Sequence, residues 1–134
     1  MVGAAGRAGA HRLIVLVDAR NVLRSVWPNI PEGELLERCR SWVTTRGRSF
    51  VVFDGRAPGG LVGEREVNGS CVVVGTGGES ADDWLARAAR ELHARGQKYW
   101  LVTSDRMLRE RAGANAERVI GGGTFARTLL EDDS

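Results

Sequence analysis

The sequence predicts a single α/β domain, a three-layer α/β/α sandwich around a mostly parallel sheet. Three observations predict it. Short apolar runs alternate with stretches of helical period along the whole chain, which is the order of a parallel sheet covered by helices on both faces. Leu13 to Val17 is apolar without interruption, as a strand buried on both sides must be. The runs end in aspartate, at Asp18 and at Asp54, and polar strand ends of this kind gather along one edge of a parallel sheet.

Taken in order, Leu13–Val17 forms the first strand and Arg20–Val26 a short helix, stopped at Trp27-Pro28, because the residue before a proline disfavours helix. A helix opening at Pro31-Glu32 carries Leu35, Leu36, Cys39, Trp42 and Val43 on one face, with Gly47 as its expected end. Ser49–Phe53 is the second strand. The Gly/Pro-rich segment 56–66 reads as a loop with room for a short hairpin. Cys71–Val74 is the third strand, followed after a glycine-rich turn by a helix from Ser80 to about Arg95 with Leu85, Ala88, Ala89 and Leu92 inward. Tyr99–Val102, a short helix to Ala112, Arg118–Ile120 and a final helix through Leu130 complete the pattern.

Composition narrows the function. At 134 residues and 43% hydrophobic the chain suits one globular core. Residues 1–11 are expected to be a flexible tail and residues 12–134 the domain. Membrane-spanning helices need about 20 apolar residues, and the longest aliphatic run is far shorter. With no secretory pattern in the first residues, the cytoplasm is the expected compartment. Cys39 and Cys71 lack zinc-site spacing and read as buried free thiols. His93 reads as a solvated helix residue, and most of the tryptophans as core. Net charge is only +2, and of the 19 basic residues only Lys98 is lysine. Arginine offers a planar fork that matches phosphate.

The chemistry lies in the acids. Asp18, Asp54 and Asp105 follow three strands, and Glu79, Asp82 and Asp83 open the helix after another. Crowded carboxylates need neutralising, and a hard cation such as Mg²⁺ or Mn²⁺ does so through oxygen ligands. Each acid also has an ordinary structural role open to it. Asp18 and Asp105 could cap helices, Ser80 with Asp83 resembles a capping box, and Asp54-Gly55 is a common turn pair. The turn Gly75-Thr76-Gly77-Gly78 lacks the lysine of a phosphate-binding loop and reads as a tight turn.

Together the segments Asp18-Ala19-Arg20-Asn21, Trp27-Pro28, Val52-Phe53-Asp54, Gly78-Glu79-Ser80-Ala81-Asp82 and Thr103-Ser104-Asp105 resemble the YacP-like NYN domains of the PIN-like ribonuclease superfamily, over about residues 13–130. The resemblance implies a divalent-metal endoribonuclease using Mg²⁺ or Mn²⁺, with RNA as partner, mRNA on the ribosome in some members. It implies metal-binding acids at Asp18, Asp82 and Asp105, with Asp54 and Glu79 matching further acidic positions. Asn21 and Ser104 match residues that position those acids or the phosphate. Arg20, Arg24, Arg56 and Arg106 are candidates for the RNA backbone, and Trp27 for stacking on a base. The family usually has Asp-Gly-Tyr-Asn after the first strand, where this chain has Ala19-Arg20 in the middle. A receiver-type phosphoacceptor domain shares the strand-end aspartates, but it needs a second acid beside Asp18 and a late lysine. A PIN-like module that binds RNA or the ribosome without cleaving it is the other alternative. The oligomeric state, homodimer included, stays open, as does the choice between Asp82 and Asp83.

Overall fold

The computed structural model describes residues 12–26 and 30–132. The expected tail 1–11 and the segment Trp27-Pro28, with its stacking candidate, lie outside the described residues. The elements run β1 (Leu13–Asp18), α1 (Ala19–Arg24), α2 (Glu32–Val43), β2 (Gly47–Phe53), a 3-10 turn (Pro58–Gly60), β3 (Gly63–Asn68), β4 (Cys71–Gly75), α3 (Ala81–Ala94), β5 (Tyr99–Val102), α4 (Arg106–Ala112), β6 (Arg118–Ile120) and α5 (Gly122–Asp132). No described helix is long and apolar enough to cross a membrane.

Six strands form one sheet in the order β3-β4-β2-β1-β5-β6. All neighbours are parallel except β3, which runs antiparallel to β4. The uninterrupted apolar run of β1 is explained by its central place, since successive side chains enter opposite cores. Ile14 and Leu16 join Phe50, Val52, Val72, Val74, Leu101 and the inner faces of α3 and α4. Val15 and Val17 join Val51, Phe53, Val73 and the inner faces of α1, α2 and α5. Trp42 and Trp84 are core residues, Cys39 and Cys71 are buried free thiols, and His93 is exposed, all as expected.

Two local readings are corrected. Helix α2 stops at Val43, and Gly47 is not its terminator but the first residue of β2. A Cβ at Gly47 would stand 2.0 Å from the carbonyl oxygen of Leu13, so the glycine serves the close approach of β2 to β1. Residues 63–68 form an edge strand that pairs antiparallel with β4, a longer hairpin than the short one the sequence leaves room for. GEREVN carries no apolar face because all six residues are exposed or half-exposed. Backbone pairing to β4 holds this strand, with a register shift between Glu66 and Asn68; such irregularities protect an open sheet edge from further pairing.

The chain leaves β1 toward β2 and β4, then returns to place β5 on the other side of β1. This reversal opens a crevice beyond the carboxyl ends of β1 and β5, where open α/β sheets bind their ligands.

Gly75 closes β4 against the turn that carries Ala57 and Leu61, and a Cβ there would fall 2.0 Å from the Leu61 carbonyl oxygen. Backbone cannot yield as a side-chain tip can. Gly75→Ala is therefore expected to cost about 1–3 kcal/mol, read as a lowered midpoint in urea unfolding; an unchanged midpoint would show that the turn moves freely.

Candidate active site at the carboxyl edge of the sheet

Asp18 ends β1 as a buried carboxylate, 7% exposed. It precedes α1 but makes no side-chain cap there. Instead its Oδ2 accepts a hydrogen bond of 2.9 Å from the hydroxyl of Thr103, itself fully buried at the end of β5. The same Thr103 oxygen accepts the backbone N–H of Asp105 at 3.1 Å. One hydroxyl thus ties the ends of two adjacent strands and sets two acids beside one crevice. Asp105 also caps α4, its Oδ1 accepting from the N–H of Leu108 at 3.0 Å.

A second tie runs alongside. Asn21, in α1, accepts the backbone N–H of Ser104 through its Oδ1 at 2.8 Å. The hydroxyl of Ser104 accepts the N–H of Gly122 at 2.8 Å. The Ser104 loop is thereby joined to α1 and α5 at once.

Asp54 and the start of α3 supply the other wall. Asp54 Oδ1 accepts the backbone N–H of Ala81 at 2.8 Å, so the aspartate at the end of β2 anchors the first residue of α3. Ser80 caps that helix by accepting from the N–H of Asp83 at 3.0 Å. The reciprocal half of the expected capping box is replaced, because the Asp83 carboxylate pairs with Arg111 at 2.9 Å. Asp82, one residue earlier, feels the negative charges of Asp105, Asp54 and Asp18. Of the two adjacent acids, Asp83 is the exposed one and is occupied by an ion pair, while Asp82 is half-buried. Glu79 is not brought into this group: it pairs with Arg87 at 2.6 Å and lines a groove with Val62, Glu64 and Trp84.

Burial is the largest influence on both Asp18 and Asp82, and it pushes each carboxyl above its ordinary value. For Asp18 the Thr103 bond opposes the shift while Asp82 adds to it. For Asp82 the charge of Asp105 comes next after burial, and Arg111 acts against it.

Four arginines were expected at the rim. All four are exposed. Arg20 donates to the backbone carbonyl of Asp54 at 3.0 Å, linking the ends of β1 and β2. Arg24 lies near enough to Asp18 to favour its charged form. Arg56 leans on the carbonyl of Gly60 at 3.4 Å, and Arg106 stands beside Asp105 in sequence at the first position of α4.

The family model of the YacP-like NYN domain matches residues 15–129, a span that holds every residue placed above. The chain belongs to the YacP-like NYN family. These are PIN-like nucleases with an RNA-related function, and they generally use divalent metal ions. Among solved structures the chain is similar to Rae1 (YacP) from Bacillus subtilis, with 21% identity and a TM-score of 0.66, covering 90% of this chain and 75% of that one. A tryptophan-to-leucine mutant of the same protein gives 20% identity and a TM-score of 0.67, covering 90% and 76%. Identity at this level speaks for the fold alone. No curated protein sequence matches the chain.

The family's use of a divalent ion can be tested against the donor set. Carboxylates raised by burial and by one another are the groups a hard cation would relieve. Among the described residues, no three carboxylate, imidazole or thiol side chains stand close enough to cage one ion. Mg²⁺ is usually held by one or two carboxylates together with water and substrate phosphate, so it would not need such a cage.

Sequence reasoning passed over two contributors. Thr103 carries no role in the sequence reading, although a threonine ending a strand next to an acid-ended neighbour is the available signal. Arg111 reaches the site from α4, 28 residues beyond Asp83, and nothing in the local pattern marks it.

The raised carboxyls have a consequence for stability. Their folded values lie above the unfolded ones, so their contribution is full below the unfolded value and is lost as pH rises through the folded values. Without divalent cations, Asp18→Asn is expected to melt a few degrees higher than the parent at neutral pH, the gap closing in acid below the ordinary carboxylate range. Thermal unfolding in EDTA at both pH values checks this; a lower melting temperature at neutral pH would mean that the Asp18 charge is well compensated.

Proposed function

We propose that this chain is a divalent-metal-dependent endoribonuclease that cleaves RNA with Mg²⁺ or Mn²⁺ held by Asp18, Asp82 and Asp105, directly or through water. The observation that carries the reading is the Thr103 hydroxyl, which joins the Asp18 carboxylate at the end of β1 to the backbone of Asp105 after β5, at the switch point of the sheet. A cation bound there would supply activated water and stabilise charge during in-line displacement at phosphorus.

The chain's own residues prepare that chemistry. Thr103 holds Asp18 by its Oδ2 and Asp105 by its backbone N–H, so neither acid has to be ordered when substrate arrives. Asp54 fixes the start of α3 and so the direction from which Asp82 approaches. Asn21 and Ser104 keep the loop after β5 against α1 and α5. Arg20, Arg24, Arg56 and Arg106, all exposed in segments that follow β1, β2 and β5, would follow the phosphates of a single strand, a contribution that weakens with salt. Arg20 replaces the family's aromatic residue with a cation already tied to the Asp54 carbonyl.

A second reading is favoured by the exposed arginines Arg20, Arg24, Arg56 and Arg106, which would bind phosphate with or without a metal: a PIN-like module that binds RNA without cutting it. Incubation of the protein with single-stranded and structured RNA, in Mn²⁺ or in EDTA, separates the two. The nuclease reading expects cleavage that needs the metal and falls by on the order of 100-fold or more in Asp105→Asn. Cleavage that survives EDTA or this substitution would contradict it. Binding without cleavage, and without Mn²⁺ uptake in calorimetry, would establish the binding module.

A further inference from the structure

Gly122 opens α5, and it is buried. Its backbone does not call for glycine, since it is not among the glycines of positive φ, and a helix ordinarily favours alanine over glycine. The reason is space. A Cβ at this position would stand 2.3 Å from Oδ1 of Asn21, with the Ser25 hydroxyl at 3.0 Å and the Asn21 carbonyl oxygen at 3.1 Å.

What that Cβ would meet decides the consequence. At Gly47 and Gly75 the nearest atoms are backbone, and the fold itself bears the cost. At Gly122 the nearest atom is the tip of a side chain, which can turn away at little cost to the fold. Turning away has a specific effect, because that same Oδ1 accepts the N–H of Ser104. Gly122 meanwhile donates its own N–H to the Ser104 hydroxyl, and Ser25 donates to the Asn21 carbonyl at 2.6 Å. Ser104 is therefore gripped at both its amide and its hydroxyl by one pair of helix segments, one residue before Asp105.

We propose that Gly122 is a positioning residue: its missing side chain is the space through which the Asn21 carboxamide reaches the Ser104 amide and sets Asp105 beside Asp18. The geometric part of this inference stands alone; its consequence for cleavage rests on the nuclease reading.

The test uses Gly122→Ala, Asn21→Ala and the double variant, with amide hydrogen exchange at Ser104 measured by NMR and RNA cleavage measured in Mn²⁺. Gly122→Ala is expected to fold, to lose protection at Ser104 as fully as Asn21→Ala does, and to lose about 10- to 100-fold in kcat with KM little changed. Because both substitutions remove the same hydrogen bond, the double variant is expected to be no slower than Asn21→Ala alone. Retained protection at Ser104 in Gly122→Ala would overturn the proposal, as would a double variant whose loss is the product of the two single losses. Should Gly122→Ala not fold, the double variant is expected to fold again, since the obstructing carboxamide is gone; failure of both would place the clash on the backbone and overturn the proposal. If the parent protein cleaves no RNA, the nuclease reading fails, while the exchange comparison still decides the role of Gly122.

Discussion

The carboxylate of Asp18 is the constraint around which the edge of this sheet is organised. It ends a strand that both cores bury, so it arrives in a place where charge is costly. Thr103 is the neighbour that meets it, and it comes from the strand on the far side of the crevice. A fold selected for stability alone would place an apolar residue or an amide here. The chain instead keeps an acid, with the negative charge of Asp82 and the positive charge of Arg24 both near enough to act on it, and holds it by a side-chain hydrogen bond from Thr103.

The ties form two parallel systems. Thr103 binds acid to acid across β1 and β5, while Asn21 and Ser104 bind helix to loop behind them. Asp54 belongs to the same scheme as an anchor for α3. Several residues that a sequence comparison would group as ligands thus divide by task. Asp18 and Asp105 are joined through Thr103, Asp54 commits one oxygen to a helix end, and Glu79 is occupied by Arg87 on the side facing β3. Rigidity of this kind suits a site that must present oxygen atoms to an incoming cation and phosphate without rearrangement.

Much of this was legible in the residues. The buried strands announced themselves because a strand covered on both faces must be apolar throughout, and the acids at their ends follow from the parallel arrangement. β3 was not legible, since an exposed edge strand held by backbone pairing leaves no pattern in its side chains. Gly47 misled for a related reason: a glycine that admits a neighbouring backbone looks the same in sequence as one that ends a helix. Asp82 and Asp83 could not be told apart by spacing. Their separation depends on Arg111, which only the packing of α4 against α3 brings near.

The central claim is that the strand-end acids share one divalent ion. A crystal grown with Mn²⁺, with data collected for the anomalous signal of the metal, tests it most directly. The account predicts a peak in the crevice between β1 and β5, within direct or water-mediated reach of Asp18, Asp82 and Asp105, and its disappearance in Asp18→Asn. A peak at Glu64 and Glu79 instead, or no peak at saturating Mn²⁺, would contradict it.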